Sequence, residues 1–536
     1  MKIFDRMRKT AISFILMALG AAAYAQTAYD ALTFSENNYE GTARGVAMGN
    51  AFTALGGDLG AVTINPAGSA VAGYSQFAIT PALTFSTTTA QGVSPYDDGT
   101  LPYFQKQMRS NLTKFSIPNL GMTFNWDTGR KRGLKSMTIG FILSRTASWD
   151  EDVYAAGQNN TTSFMGQMAA EATEMGYTGS ELGAADAYDY LPWKMVAGYQ
   201  SGMISTFGGY DDQFVGASEL IFSNPDSGYD EIALGGTLNQ SYGRRVTGSK
   251  YDYVFNLGAN ISDYLYLGAN LGITSLEYGY SEYFKESAVD PSDFEISFDD
   301  GSSMYFQQMR YNYGYSANGT GLFAKIGFIL TPVGGLRIGG AIQTPTMTSI
   351  TETWDLSAST VFSDSQFNGS SSSPYGENTY RLRSPMRANL GLAYTFGSVG
   401  LISADYEACN YGTMRFEGSS YDRDYFESVN EEIRETFGTV HSFRFGAEFQ
   451  PVSSLALRAG YNISGTLRNI SFGLGYSSKG SFYTDIAARN TMRADEYFMP
   501  YADYIYDDEG YVSAPTPEIR NHQSLWKVMW TLGWRF

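Results

Sequence analysis

The chain has 536 residues, of which 43% are hydrophobic and 15% aromatic, and its formal net charge is −18. This acidity excludes nucleic acid as a partner, because phosphate backbones are bound by clusters of Lys and Arg. Beyond the first 25 residues no apolar run reaches the length of about 18 residues that a membrane-spanning helix needs, which excludes a helical membrane protein. One cysteine and two histidines provide neither a disulfide framework nor a multi-histidine metal site, so we expect no cofactor.

The N-terminus has the pattern of an export signal. A basic stretch comes first and is followed by an apolar run over residues 11–22. Ala23-Tyr24-Ala25 is a small-residue cleavage site of the A-x-A type. We therefore predict a cleaved signal peptide over residues 1–25 and a mature chain that begins at Gln26. The basic residues are Lys2, Arg6, Arg8 and Lys9.

Most of the remaining chain alternates between apolar and polar or small residues, which is typical of β-strands. We count 14 such segments, joined alternately by short turns and by long polar loops, with one exception, the brief connection near Gly465–Leu467. An even number of strands with short connections at one end and long ones at the other is the plan of an outer-membrane barrel. The sequence thus predicts an all-β fold, a 14-stranded antiparallel transmembrane β-barrel over residues 75–536 with a helical extracellular loop at about 150–240.

The last segment carries the strongest signal for a lipid-facing strand. Large apolar side chains occupy every second position, which puts three tryptophans on one face, and water on that face would make it an aggregation hazard. The other face carries Lys527, Thr531 and Arg535 and should point into the lumen. The terminal phenylalanine resembles the signal that the barrel assembly machinery recognises, which makes that machinery an expected partner. The apolar face consists of Trp526, Val528, Trp530, Leu532, Trp534 and Phe536.

Residues 26–74 do not alternate and are rich in glycine and other small residues. They contain the pattern Arg-Gly-x-x-Met-Gly-x-Ala over 44–51, then Asp58, then Asn-Pro-Ala-Gly over 65–68. Small residues allow a segment to pack inside a narrow lumen, and Asn-Pro marks a turn. This pattern resembles the N-terminal hatch of FadL-type outer-membrane transporters of long-chain fatty acids and other hydrophobic compounds.

The resemblance implies a bacterial outer-membrane protein, monomeric, with the hatch over residues 26–74 inside the barrel lumen. It further implies passive uptake of a hydrophobic small molecule, without ATP or TonB, in contact with outer-membrane lipid. Substrate would enter from an outer groove and leave sideways once the hatch shifts. The implied gating residues are Gly45, Met48, Gly49, Asp58, Asn65, Pro66 and Ala67. The chain departs from the family pattern in one place, because its longest loop falls one hairpin earlier than the groove-forming helices would.

Two sets of residues are candidates for substrate contact. In the long loop, apolar residues recur at helical spacing and predict an exposed, methionine-rich groove for a flexible alkyl chain, or else a loop packed on the barrel rim. These are Phe164, Met165, Met168, Trp193, Met195, Met203 and Phe207. Strand alternation directs a second, cationic set into the lumen, where it would bind a carboxylate or tie the hatch to the strands. These are Lys325, Arg337, Arg387, Arg444 and Arg458.

Three other functions compete with passive transport. A barrel of the same family could serve protein secretion or surface anchoring instead. A TonB-dependent receptor would need a barrel of about 22 strands. An enzyme is not expected, because Walker A, G-x-S-x-G and H-E-x-x-H motifs are absent, and His441 beside Ser442 is the one pair that would serve hydrolysis. Acidic clusters in the outer loops are best explained as a solvated face, although calcium would suit their carboxylates.

Overall fold

The computed structural model describes residues 26–94, 103–223, 230–298, 301–418, 423–478, 481–506, 510 and 512–536. The predicted signal peptide, residues 1–25, lies outside the described residues. So do Asp299, Asp300, Asp507, Asp508 and Glu509 of the acidic clusters. Among the described residues, no helix combines the length and the apolar character that crossing a membrane requires.

The 14 antiparallel strands predicted from the alternation form a closed barrel. The first and last strands pair from Gln76↔Arg535 to Val93↔Glu518, which closes the sheet. The strands are β1 (Gln76–Val93), β2 (Met108–Asp127), β3 (Leu134–Asn159), β4 (Leu238–Ile261), β5 (Leu265–Ala288), β6 (Ser303–Val333), β7 (Leu336–Gln343 continued by Met347–Phe362), β8 (Gly376–Arg383 continued by Arg387–Thr395), β9 (Gly400–Asn410), β10 (Thr439–Val452), β11 (Leu455–Ser464), β12 (Leu467–Ser477), β13 (Phe482–Met492) and β14 (Glu518–Arg535).

The N-terminal segment and the long loops contain the helices. They are α1 (Ala28–Ser35), α2 (Ala43–Ala47), α3 (Gly68–Val71), α4 (Phe164–Glu174), α5 (Gly179–Leu182), α6 (Trp193–Gln200) and α7 (Arg423–Thr436). Short 3₁₀ turns cover Gly60–Thr63, Ala187–Asp189, Pro291–Asp293, Ser365–Phe367 and Tyr411–Thr413. Short strands outside the main ladder are Ile204–Thr206, Phe214–Gly216, Glu219–Ser223, Asp230–Leu234, Glu295–Ser297, Gly369–Ser372, Arg415–Glu417, Glu496–Phe498, Ile505–Tyr506 and Val512–Ala514.

The two faces of the strands differ as the alternation predicts. Along β14, Trp530 is 48% exposed on the outside while its neighbour Thr531 is 0% exposed on the inside. Exposed leucine, phenylalanine and tryptophan side chains cover the outer wall on the other strands too. An outer wall of this kind is stable only against an apolar medium, whereas the inner face is polar and packed against the N-terminal segment.

One boundary predicted from the sequence is wrong. The helical loop was expected to begin at residue 150, but β3 continues to Asn159 and pairs with β4 up to Leu238. Above the lipid-facing band of apolar side chains, the outer face of this hairpin meets water. Polar residues therefore occupy both faces there, and the alternation of apolar and polar residues disappears from the sequence. The helices α4, α5 and α6 do lie in the loop that follows.

Candidate functional site

The hatch, residues 26–74, is a compact segment of short helices held together by side-chain caps. Thr27 and Asp30 form a reciprocal capping box at the start of α1. The Thr42 hydroxyl oxygen accepts a hydrogen bond from the Gly45 amide at the start of α2. Turns between these pieces need left-handed backbone, which Gly49 (φ 62°) and Gly56 (φ 62°) adopt without strain. Local interactions therefore give the hatch its own shape.

Asp58 organises the inside of the hatch. It accepts hydrogen bonds from the Thr42 hydroxyl at 2.8 Å and from the Gly60 amide at 2.9 Å, which joins the start of α2 to the following 3₁₀ turn. Gly45, also predicted from the pattern, leaves room beside the capping residue and the next turn, since a Cβ there would lie 3.2 Å from Asn50 Oδ1 and 3.4 Å from the Thr42 hydroxyl oxygen. These two predicted residues thus act within the hatch and away from its contact with the wall.

The Asn-Pro-Ala turn fastens the hatch to the wall. The Asn65 side-chain amide donates to the Thr53 carbonyl at 2.6 Å and to the Phe328 carbonyl of β6 at 3.0 Å. The Asn256 side chain of β4 donates to the Pro66 carbonyl at 3.0 Å. The turn is closed by the Ala67 amide, which donates to Asn65 Oδ1. The sequence motif is therefore both a turn and an attachment point.

A band of lumen-facing glycines between strands β4 and β12, which we call the glycine belt, receives the hatch. A Cβ built on Gly268 would lie 2.2 Å from the Pro66 carbonyl carbon, and one on Gly460 would lie 2.0 Å from the Gly49 amide nitrogen. Several neighbouring members are register partners, as in Gly268↔Gly327 and Gly446↔Gly460. The absence of side chains brings hatch backbone directly onto strand backbone. The belt consists of Gly258, Gly268, Gly327, Gly339, Gly391, Gly446, Gly460 and Gly473.

Met48 and Gly49 of the hatch contact this belt. A Cβ on Gly446 would lie 2.6 Å from the Met48 carbonyl oxygen, and Met48 itself is fully buried. Where the belt passes strand β9 it has no glycine; there the Ser403 hydroxyl donates to the Ala51 carbonyl at 2.6 Å. The predicted Gly-Met-Gly step is thus a point of close approach between hatch and wall.

An ionic cluster, which we call the Glu40 latch, adds a charged attachment. Glu40 of the hatch forms ion pairs with Arg145 of β3 at 2.6 Å, Arg489 of β13 at 3.7 Å and Lys527 of β14. All four side chains are at most 4% exposed. Burial alone would raise the pKa of Glu40, but the three cations outweigh it and hold the pKa well below its usual range.

A second ionic chain lies further along the hatch. Arg44 pairs with Glu448 of β10 at 3.0 Å. Glu448 also forms an ion pair with Arg458 of β11 at 2.6 Å, and Arg458 forms a further ion pair with Asp485 of β13. A single hatch arginine is therefore connected to three strands of the wall.

The five cations predicted to face the lumen do so, and each is engaged there. Lys325 donates to the Thr63 carbonyl at 2.6 Å and Arg337 to the Leu55 carbonyl at 2.5 Å. Arg387 donates to the Ser35 carbonyl at 2.6 Å, and both it and Arg444 pair with Glu407. Arg458 belongs to the ionic chain above. In this closed arrangement their donors serve the hatch and the wall, and binding of a ligand carboxylate stays a prediction.

The apolar residues of the long loop form the core of a cap at the long-loop end. The expectation of exposure was wrong: Met165, Met168 and Met203 are fully buried, because α4 and α6 fold back and pack on each other and on the rims of β4–β6. Phe164 and Met195 belong to the same cluster, Trp193 packs at its edge, and half-buried Phe207 lies outside it. Helical spacing is the same for a buried and an exposed apolar stripe, which explains the error.

A small cavity of about 50 Å³ lies beside this cluster. Aromatic rings surround it: Phe164 lies 5.3 Å from Phe284 and 5.2 Å from Tyr311, measured between ring centres. Lys194 also borders the cavity, where it pairs with Glu171 at 2.8 Å. The cap therefore has an apolar, aromatic depression with a neutralised cation at its edge.

His441 and Ser442 do not form a catalytic pair. Successive strand residues point to opposite faces, so His441 lies on the outer wall, where its Nδ1 is 2.7 Å from the Tyr406 hydroxyl. Ser442 points inward and donates to the Ser464 hydroxyl at 2.7 Å.

The Glu40 latch and the glycine belt were not predicted from the sequence. Inward glycines such as Gly268 and Gly446 were visible in the alternation, but only the strand register places them in one band. Glu40 stands next to the Gly-rich motif, and nothing in its spacing points to Arg145 or Arg489. Among the described residues, no group of three or more His, Cys, Asp or Glu side chains is arranged to hold a metal ion.

Comparisons with known proteins agree with this architecture. No family model matches the chain, and the search of curated proteins gave no match. Among solved structures, a FadL homologue of Pseudomonas aeruginosa aligns over 94% of this chain and 100% of its own, with 10% identity and a TM-score of 0.51. The toluene transporter TodX of P. putida aligns over 94% and 99%, with 12% identity and a TM-score of 0.49. The resemblance predicted from the hatch motif is thus confirmed at the level of the fold: the chain is built like a FadL homologue.

Proposed function

We propose that this chain is a bacterial outer-membrane protein that lets hydrophobic compounds cross passively through a lumen gated by its hatch. The observation that carries the proposal is the hatch seated on the glycine belt, because it fills the lumen of a barrel whose outer wall is apolar. The contacts that hold it are mostly single hydrogen bonds and ion pairs, so they can be exchanged for water when the hatch shifts. No covalent bond has to break.

Long-chain fatty acids are the substrate class we favour. The depression beside Phe164 would receive the end of the alkyl chain first, because aromatic rings line it. A carboxylate would then meet the inward cations. Arg387 and Arg444 are both paired with Glu407. Arg387 also donates to the Ser35 carbonyl of the hatch, and Arg444 lies over the Tyr39 ring of the hatch at 5.2 Å, so they would become available only after the hatch has moved. Substrate entry and gating are coupled in this scheme.

A reversible tether tests whether the hatch must move. Ala70 of the hatch and Gly258 of β4 are close enough to be joined by a disulfide, since the Ala70 Cβ lies 3.2 Å from a Cβ built on Gly258 and disulfide-bonded Cβ atoms are about 3.5–4.5 Å apart. The two backbones must part by a few tenths of an ångström, and the Ser69 hydroxyl must rotate away. In an Ala70→Cys/Gly258→Cys variant that also carries Cys409→Ser, we expect oxidation to stop uptake of a fluorescent long-chain fatty acid into proteoliposomes. Reduction should restore it.

The Ala70→Cys and Gly258→Cys single variants under the same oxidant are the control, and the uptake by each should be the same before and after oxidation. Full transport by the oxidised, tethered protein would disprove gating by the hatch. If proteoliposomes took up the fatty acid no faster than liposomes without protein, transport of this substrate class would be disproved.

Phe164→Ala tests the cap as the entry site. Removing a ring that contacts Phe284, Tyr311 and Tyr501 should lower uptake about tenfold, the usual effect of losing an aromatic anchor. The hatch should stay closed, so ion conductance in planar bilayers should not rise. Tyr375→Ala is the matched control, because Tyr375 is 79% exposed and absent from the cap cluster as described. Unchanged uptake in Phe164→Ala would rule out entry through the cap.

A further inference from the structure

Three arginines stand together on the outer wall, at the point where β8 meets the short strand Arg415–Glu417. Arg383 and Arg415 are direct register partners, and Arg381 lies two positions further along the same face. All three side chains are exposed. In a chain with a net charge of −18, such a cationic cluster is unexpected.

The charges of this cluster are poorly compensated within the protein. Like charges directly opposite each other across a strand pair destabilise the sheet. Glu417 faces Arg381, but in the part of the chain that the structure describes, none of the three guanidinium groups lies within 4.0 Å of a carboxylate. By contrast, Arg520 and His522, on the outer face of β14, share Asp495 at 3.8 and 2.7 Å.

The height of the cluster on the wall is defined by the register. Arg383 is level with Met347 of β7, the last exposed apolar residue on that face, and Arg381 is level with Ser349. Further down β8 the outer face presents Met386 and Leu390, of which Leu390 is 59% exposed. The arginines therefore stand at the edge of the apolar band on the long-loop side, where lipid headgroups would lie.

We propose that Arg381, Arg383 and Arg415 form a binding site for the phosphate groups of an outer-leaflet lipid. This rests on the proposed location of the barrel in the outer membrane. A guanidinium group binds phosphate through two parallel hydrogen bonds, and one phosphate between Arg383 and Arg415 would turn a repulsive pair into a bridged one. The lipid's acyl chains would lie along the apolar wall beneath, which favours a membrane lipid over free phosphate.

Native mass spectrometry of the purified full chain, titrated in detergent with diphosphoryl lipid A, tests the site. We expect Arg381→Ala/Arg383→Ala/Arg415→Ala to bind the lipid at least about tenfold more weakly than the wild type. Dephosphorylated lipid A should bind both proteins equally weakly. Millimolar inorganic phosphate should not displace the lipid from the wild type.

The matched control is Arg130→Ala/Lys131→Ala/Arg132→Ala, which removes three cations from the turn between β2 and β3 at the opposite end of the barrel. It should keep wild-type affinity. The proposal would be overturned if both triple variants bound the lipid equally weakly, or if the wild type showed no preference for the phosphorylated lipid. Displacement of the lipid by inorganic phosphate would show that free phosphate, and not a lipid, is the ligand of the site. Fatty-acid uptake by the Arg381, Arg383 and Arg415 variant should be normal. A failure of the lipid-binding proposal would therefore appear in mass spectrometry, whereas a failure of the proposed transport function would appear in the uptake assay.

Discussion

A Gly268→Ala/Gly460→Ala variant is expected to form an open, ion-conducting barrel. Each new methyl group would lie 2.0–2.2 Å from hatch backbone, a distance at which the hatch must move because neither backbone can yield. Overpacking of this kind costs about 1–3 kcal/mol per site. Because both substitutions act on the contact with the hatch, their effects add against the closed state while the strand ladder is kept.

Single-channel recording in planar bilayers measures the effect, and Gly319→Ala is the matched control. Gly319 also faces the lumen, on β6, but a Cβ there meets the side chains of Thr348 and Ile350 at 3.0 and 3.1 Å and does not meet the hatch. The control should stay closed. If the double variant conducts no more than Gly319→Ala, the belt does not seat the hatch.

Glu40→Gln is expected to loosen the hatch by a different route. The substitution keeps the shape of the side chain but leaves Arg145, Arg489 and Lys527 buried without a counter-charge. Breaking a buried ion pair in this way costs about 3–5 kcal/mol. We expect the hatch to become sensitive to added protease and the protein to denature at a lower temperature.

Asp152→Asn is the control for this variant. Asp152 pairs with Arg245 at 2.9 Å, but both side chains are partly exposed, and such pairs contribute about 0–1 kcal/mol. Its hatch should resist protease as in the wild type. Equal protection of the hatch in Glu40→Gln would show that the latch adds nothing to closure.

The latch also predicts a pH dependence. The pKa of Glu40 is depressed in the folded protein. Its ionised carboxylate therefore stabilises the folded state fully at any pH above the ordinary pKa of a glutamate, and this stabilisation is lost only when the pH falls well below that ordinary value. Protease protection of the wild-type hatch should therefore persist into mildly acidic buffer.

The barrel could be predicted from the sequence because every strand repeats the same local rule. Leu265, Leu267 and Leu271 alternate with small or polar residues, and this pattern reports the medium on each side of the wall. The hatch could be predicted because its motif is contiguous, from Gly45 to Ala67. Both predictions depend on residues that are close together in the chain.

The attachment of hatch to wall could not be predicted in the same way. Glu40 and Lys527 are 487 positions apart, and their meeting depends on the register of every strand between them. The burial of Met165 and Met168 depends on how α4 folds back, which helical spacing does not encode. Sequence patterns therefore identified the parts of the candidate site, whereas their contacts required the assembled barrel.

The course of the hatch around the wall has a consequence for biogenesis. Going along the hatch, the Ala43 amide donates to Thr531 of β14, the Ala51 carbonyl accepts from β9, and Pro66 reaches β5. The segment that precedes the first strand thus docks onto the last strand of the barrel. Such non-local contacts form late, so a chain truncated before β14 could insert strands but would lack the docking site for Ala43. Closure of the barrel and closure of the pore should then be a single final step of folding.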